Sequence, residues 1–222
     1  MFLVRRLQQK VHRGFSTLLI AETRAGNLLP GNLNALTAAM KLNKDIDILV
    51  LGSQAKDIPL RANLVKDVFV ASGPEFLNPT ADVFSQAVNN FIQKQNKYKH
   101  VVAVSSTWSK DYLPRLAALN ECQPISEVTD IVNENTFKRP IYAGNAISTV
   151  KSNNPIHFVA FRPTNFDAFA KPETIASKVV NVADLLNGIN LTQSQIIKEE
   201  FIKSERPELT DAKIVVSGGR GI

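Results

Sequence analysis

The chain has 222 residues, 44% of them hydrophobic, and a formal net charge of +6. That length suits one large or two small domains, and the single cysteine, Cys122, excludes an internal disulfide framework and argues against a cysteine-based metal site. Four positive charges (Arg5, Arg6, Lys10 and Arg13) stand in the first 15 residues with no acid among them, and the +2 that remains does not describe a nucleic-acid-binding surface.

In chain order, residues 1–15 form a basic segment able to make an amphipathic helix, the composition of a mitochondrial transit peptide. Arg13-Gly14-Phe15-Ser16 offers a processing point; the competing reading is a plain surface helix. The segment is too short and too charged to span a bilayer, and no later apolar run is long enough to do so. Thr17–Ala21 predicts a buried strand, Pro30 opens a helix, and 47–52 predicts a second strand. A short helix is expected near Leu60 to Lys66 and a third strand over 67–71. Ala81 to Lys94 places Val83, Phe84, Ala87, Val88, Phe91 and Ile92 on one helical face. A fourth strand over 100–104 and a helix from Ser109 to Leu119, despite Pro114, follow.

Apolar runs alternating with helices predict βαβ units: an α/β three-layer sandwich around a mainly parallel sheet. Beyond Cys122 the strand-like runs 128–132, 137–143, 146–151 and 156–161 predict an antiparallel extension, with Gly144-Asn145 as a hairpin turn. A brief helix is expected over 183–188 and a strand over 196–202.

Ligands on such sheets lie beyond the carboxyl ends of strands. Glu22-Thr23, Gly52-Ser53, Ser72-Gly73 and Ser105-Ser106-Thr107 stand there, and none is a dinucleotide fingerprint or a P-loop. Ser105-Ser106-Thr107 reads as a phosphate seat or as the cap of the next helix, and capping preference favours the cap. Trp108, Tyr112 and Phe161 are the aromatics for a flavin platform, although burial in the core is their default. His12, His100 and His157 lack ligand spacing, Glu127 and Asp130 do not read as a catalytic pair, and Cys122 reads as a packed thiol.

The last eleven residues read as a buried strand, Ala212 to Val216, entering a turn of Ser217-Gly218-Gly219-Arg220-Gly221. Glycines let backbone approach a ligand closely, and an arginine among them can meet an anionic group. By spacing alone, a solvated turn arginine is an equal reading.

The run Ser204 to Lys213 together with that turn resembles the electron-transfer flavoprotein α-subunit at its domain junction. Pro124 to Ile131, Arg139-Pro140-Ile141-Tyr142-Ala143-Gly144-Asn145-Ala146 and Leu113 to Ala118 agree, and the resemblance runs from about residue 16 onward. It implies an N-terminal α/β domain over 16–203 and the start of a second, flavin-binding α/β domain over 204–222, incomplete in this chain. It implies FAD as cofactor, with Arg220 contacting either the diphosphate or the isoalloxazine ring. It further implies an electron carrier rather than an enzyme, working as a heterodimer with a β-subunit in the mitochondrial matrix. Electrons would come from acyl-CoA and related dehydrogenases and pass to a membrane quinone oxidoreductase. The alternative is a non-redox α/β module that docks a partner subunit.

Overall fold

The computed structural model describes residues 15–24, 27–42, 45–52, 57–59, 65–168, 174–176 and 178–191, with scattered positions among 194–221. Residues 1–14 of the segment read as a transit peptide, residues 60–64 of the helix expected near Leu60 to Lys66, residues 199–202 and Arg220 lie outside the described residues. Among the described residues, fourteen strands and four α-helices follow one another. They are β1 (Ser16–Ala21), β2 (Thr23–Arg24), β3 (Asn27–Leu28), α1 (Gly31–Leu42), β4 (Ile46–Leu51), β5 (Asp57–Pro59) and β6 (Val65–Ala71). Then come α2 (Ala81–Gln95), β7 (Tyr98–Val104), α3 (Thr107–Leu119), β8 (Pro124–Val128), β9 (Asp130–Asn133), β10 (Thr136–Ile141) and β11 (Ala146–Lys151). The last are β12 (His157–Phe161), β13 (Thr174–Ala176), β14 (Lys178–Val179) and α4 (Val182–Leu186).

Seven strands form one sheet in the order β14-β6-β4-β1-β7-β12-β8, with every neighbouring pair parallel. β1, β4 and β12 are buried at every position. Continuous apolar runs are what a strand covered on both faces requires. Leu18, Ile20, Val101, Ala103, Phe158 and Ala160 face one core with α2, α3 and α4. Leu19, Ala21, Val102, Val104, Val159 and Phe161 face the other with α1 and Phe137 of β10. The three-layer α/β expectation is the fold.

The antiparallel extension is a separate three-stranded sheet, β11-β10-β9. The run at 156–161, expected beside those strands, instead enters the parallel sheet between β7 and β8. The burial patterns show why. β11 alternates half-buried and exposed residues, the pattern of a one-faced strand, whereas β12 has no polar face to turn to water. β10 and β11 pair in register from Thr136↔Lys151 to Ile141↔Ala146, and the turn between them includes Gly144 at φ +94.

α2 ends at Asn96, held at φ 46, and the Asn96 N–H donates to the Ile92 carbonyl at 2.9 Å. Asparagine accepts that left-handed conformation more readily than most residues. Gly52, just past β4, is glycine for two reasons: its φ is +85, and a Cβ there would collide with the Phe76 carbonyl oxygen. The brief helix expected over 183–188 is α4, and α3 continues through Pro114.

Three expectations are corrected. Residues 65–66 belong to β6 rather than a helix, and Ile196–Lys198 show no strand. Ile214 and Val216, read as part of a buried strand, are 84% and 94% exposed and unpaired. An apolar run becomes a buried strand only where a neighbouring strand supplies the ladder and a second layer covers it, and the described chain gives these residues neither.

Candidate functional site

The strand order reverses between β1 and β7: the chain moves from β1 outward to β4 and β6, then returns to the other side of β1. In open α/β sheets the crevice at the carboxyl ends beside such a reversal is the usual ligand position. Glu22 follows β1 there, Ser105 and Ser106 follow β7, Glu127 lies near the end of β8, and Arg162 follows β12.

Glu22 is only 7% exposed. Its backbone is held by Asn32 of α1: the Glu22 N–H donates to Asn32 Oδ1 at 2.9 Å, and Asn32 Nδ2 donates to the Glu22 carbonyl at 2.8 Å. The same amide reaches the Leu29 carbonyl at 2.9 Å. The Ser106 hydroxyl donates to Glu22 Oε1 at 2.6 Å and accepts from the Ser109 N–H at 2.9 Å. The Ser106 N–H in turn donates to Ser109 Oγ at 2.9 Å, which completes a reciprocal cap on α3. The capping role expected of this serine run is therefore present. Burial pushes the Glu22 carboxyl up, and the Ser106 bond offsets part of that rise.

Glu127 closes the other side. The Ser105 hydroxyl donates to Oε1 at 2.6 Å, Lys110 Nζ lies 2.8 Å from the same oxygen, and Arg162 Nε donates to Oε2 at 2.8 Å. Partial burial raises its carboxyl, but those three donors outweigh it and bring the group down to about 2. The register slips here: Val159 pairs with Ile125 and Phe161 with Val128, so Glu127 sits in a bulge at φ 58. A bulge of this kind re-aims a side chain out of the strand's alternation. Glu127 and Asp130 are not a pair, because Asp130 receives Lys138 Nζ at 3.0 Å instead.

Chemically, each serine hydroxyl already serves one of the chain's own carboxylates. An incoming phosphate would meet two acids where an anion seat needs free donors. Among the described residues no histidine stands beside either serine: His100 and His157 lie toward the amino ends of β7 and β12, with stacked rings 5.2 Å apart. Trp108 and Tyr112 pack with Phe84 on one side of the sheet, while Phe161 packs with Phe166 on the other, so the three make no common platform. Cys122 is buried, and burial pushes its thiol up. Among the described residues no group of histidine, cysteine or acidic side chains is placed to hold a metal, and no helix is long and apolar enough to cross a membrane. Sequence reasoning placed Glu22, Ser105 and Ser106 at strand ends but missed Asn32, Lys110 and Arg162, whose spacing carries no motif.

The family model described as the electron transfer flavoprotein domain matches residues 17–186. This chain belongs to the electron transfer flavoprotein family. Within it, the likeness is to the alpha subunit. It is 39% identical over 92% of its length to electron transfer flavoprotein subunit alpha of Pseudomonas aeruginosa, covering 65% of that protein. It is 36% identical to a probable mitochondrial alpha subunit of Caenorhabditis elegans and 37% identical to a mitochondrial one of Dictyostelium discoideum. Those matches cover 93% and 92% of the chain but 62% and 61% of the relatives. The chain thus spans under two thirds of the length of these relatives.

The flavin of the family name can be set against the described residues. Gly219 and Gly221 face open space, with no atom within 4 Å of where a Cβ would stand, and the carboxyl-edge crevice holds its own acids. These residues do not fit FAD unaided, and no electron-transfer step is assigned to them.

Proposed function

We propose that this chain serves as the α-subunit of a mitochondrial electron-transfer flavoprotein. In this reading the assembly carries FAD, receives electrons from acyl-CoA and related dehydrogenases in fatty-acid and amino-acid breakdown, and delivers them to a membrane quinone oxidoreductase. It is an electron carrier, not an enzyme with its own substrate. The observation that carries the reading is the family match over residues 17–186, joined to relatives that bear the alpha-subunit name. Two relatives carry a mitochondrial name, and residues 1–15 have the composition of a transit peptide, which supports the matrix as its location.

The partner is a β-subunit. Val132, Tyr142 and Ile147 are exposed apolar side chains on and beside the antiparallel sheet, a surface of the kind a partner covers. Arg220, flanked by Gly219 and Gly221, is the residue of this chain proposed to contact FAD. The test combines the chain, a β-subunit and FAD. A one-to-one complex whose flavin is reduced by an acyl-CoA dehydrogenase and its substrate supports the carrier. A one-to-one complex without flavin supports the second reading, a docking module without redox work. That reading is favoured by a crevice already filled with the chain's own charges.

A further inference from the structure

His100 and His157 are direct neighbours across β7 and β12, and their rings stack at 5.2 Å. They share the sheet face of Val102, Val104, Val159 and Phe161, the face on which Phe137 of the antiparallel sheet is buried. The Phe137 ring lies 6.4 Å from that of His157. His100 Nε2 stands 2.7 Å from the Glu134 carbonyl, in the turn between β9 and β10. A carbonyl only accepts, so Nε2 carries the proton and Nδ1 holds a lone pair. That Nδ1 is buried and has no partner among the described residues. His157 Nδ1 meets the Ser152 hydroxyl at 3.0 Å, just after β11, and the Ser152 N–H donates to the Asn135 carbonyl at 2.8 Å. The two rings therefore hold the open end of the β10–β11 hairpin, one on the turn before it and one on the strand that leaves it.

We infer that the stacked His100–His157 pair is a proton-sensitive latch that fastens the antiparallel sheet to the parallel core. A second proton on His100 must go to Nδ1, where no acceptor waits. A proton on His157 places a charge against the neighbouring ring. The charged groups facing the pair are Lys99 from β7 and Glu134 from the β9–β10 turn, and these are spent on each other at 2.9 Å. Burial, then the charges of the other ring and of Lys99, pushes His157 from 6.5 down to about 4; burial likewise lowers His100. Both folded values lie below the ordinary one, so the undocked state binds more protons. The latch is fully fastened above about pH 6.5 and loosens as pH falls toward about 4. Buried Phe137 beside His157 does not titrate, and the hydrogen bonds of the pair go to the Glu134 carbonyl before β10 and the Ser152 hydroxyl after β11, so the loosening is local to the antiparallel sheet.

The test follows the imidazole Hε1 signals of the 222-residue chain by NMR, with amide exchange corrected for intrinsic rate, across about pH 7 to 4. Both rings should titrate below 6.5. The opening constant of the β10 and β11 amides should grow about tenfold per pH unit for each proton taken up, while β1, β4 and β7 stay closed. His157→Gln should keep the hydrogen bond to Ser152 and remove one proton from that slope. If the variant does not fold, the titration of the unaltered chain still decides. Rings that titrate at or above 6.5, exchange in β10 and β11 that ignores pH, or opening of all strands together would overturn the latch.

Discussion

Glu22 and Glu127 lie at the same edge of the sheet, and their pKa values are displaced in opposite directions. Burial raises the Glu22 carboxyl above its ordinary 4.5, so the folded state holds that proton more tightly than the unfolded one. Its effect on stability is therefore unfavourable as pH rises from about 4.5 through the raised value. Glu22→Gln should remove that fall while keeping an acceptor for Ser106, and urea midpoints below 4.5 and at neutral pH will show it. For Glu127 the sign reverses: its contribution is full above 4.5 and is lost as pH falls toward about 2. Glu127→Gln should lower stability at neutral pH by about 1–3 kcal/mol, because the bonds from Lys110 and Arg162 lose their charged acceptor. An unchanged urea midpoint would show that solvent screens the cluster. Tyr112 offers a contrast, since its hydroxyl is buried with no partner among the described residues. Tyr112→Phe should leave stability unchanged or raise it by up to ~1 kcal/mol in the same assay.

At the scale of elements, the ends of strands and helices carry the constraints. Ser106 both caps α3 and holds Glu22, so Ser106→Ala removes two bonds at once. The loss should exceed that of a simple cap, about 1 kcal/mol, because it strands a buried carboxyl. Gly52→Ala should be severe, about 3 kcal/mol or more, since positive φ and a backbone collision act together. Thermal unfolding of the two variants measures both, and a Gly52→Ala protein as stable as the parent would disprove the close approach to Phe76. The helices were readable because their apolar residues recur at helical spacing, as α2 shows with Val83, Phe84, Ala87, Val88, Phe91 and Ile92. The placement of β12 was not, because a five-residue apolar run does not say which sheet will take it.

At the scale of the whole molecule, three expectations separate the chain from its proposed assembly. The described residues form no flavin cradle, so the chain alone should bind FAD weakly or not at all. Flavin fluorescence titration reads this directly, and tight binding by the isolated chain would contradict it. In the proposed assembly with a β-subunit, Arg220→Ala should loosen FAD or shift its potential, and unchanged values of both would remove Arg220 from the proposed site. Ile147→Asp should weaken the proposed heterodimer at least tenfold by light scattering or calorimetry, because it puts a charge into the exposed apolar face proposed to meet the partner.

The α/β class, the helix faces, the hairpin turn and the family were legible in the chain, because each rests on local periodicity or on a contiguous run such as Ser204 to Gly221. The meeting of Asn32 with Glu22, of Arg162 and Lys110 with Glu127, and of His100 with His157 was not. These residues stand 10 to 57 positions apart, and strand order and register bring them together. Periodicity tells a residue which face of its own element it occupies; only the pairing of strands selects which distant residue stands opposite.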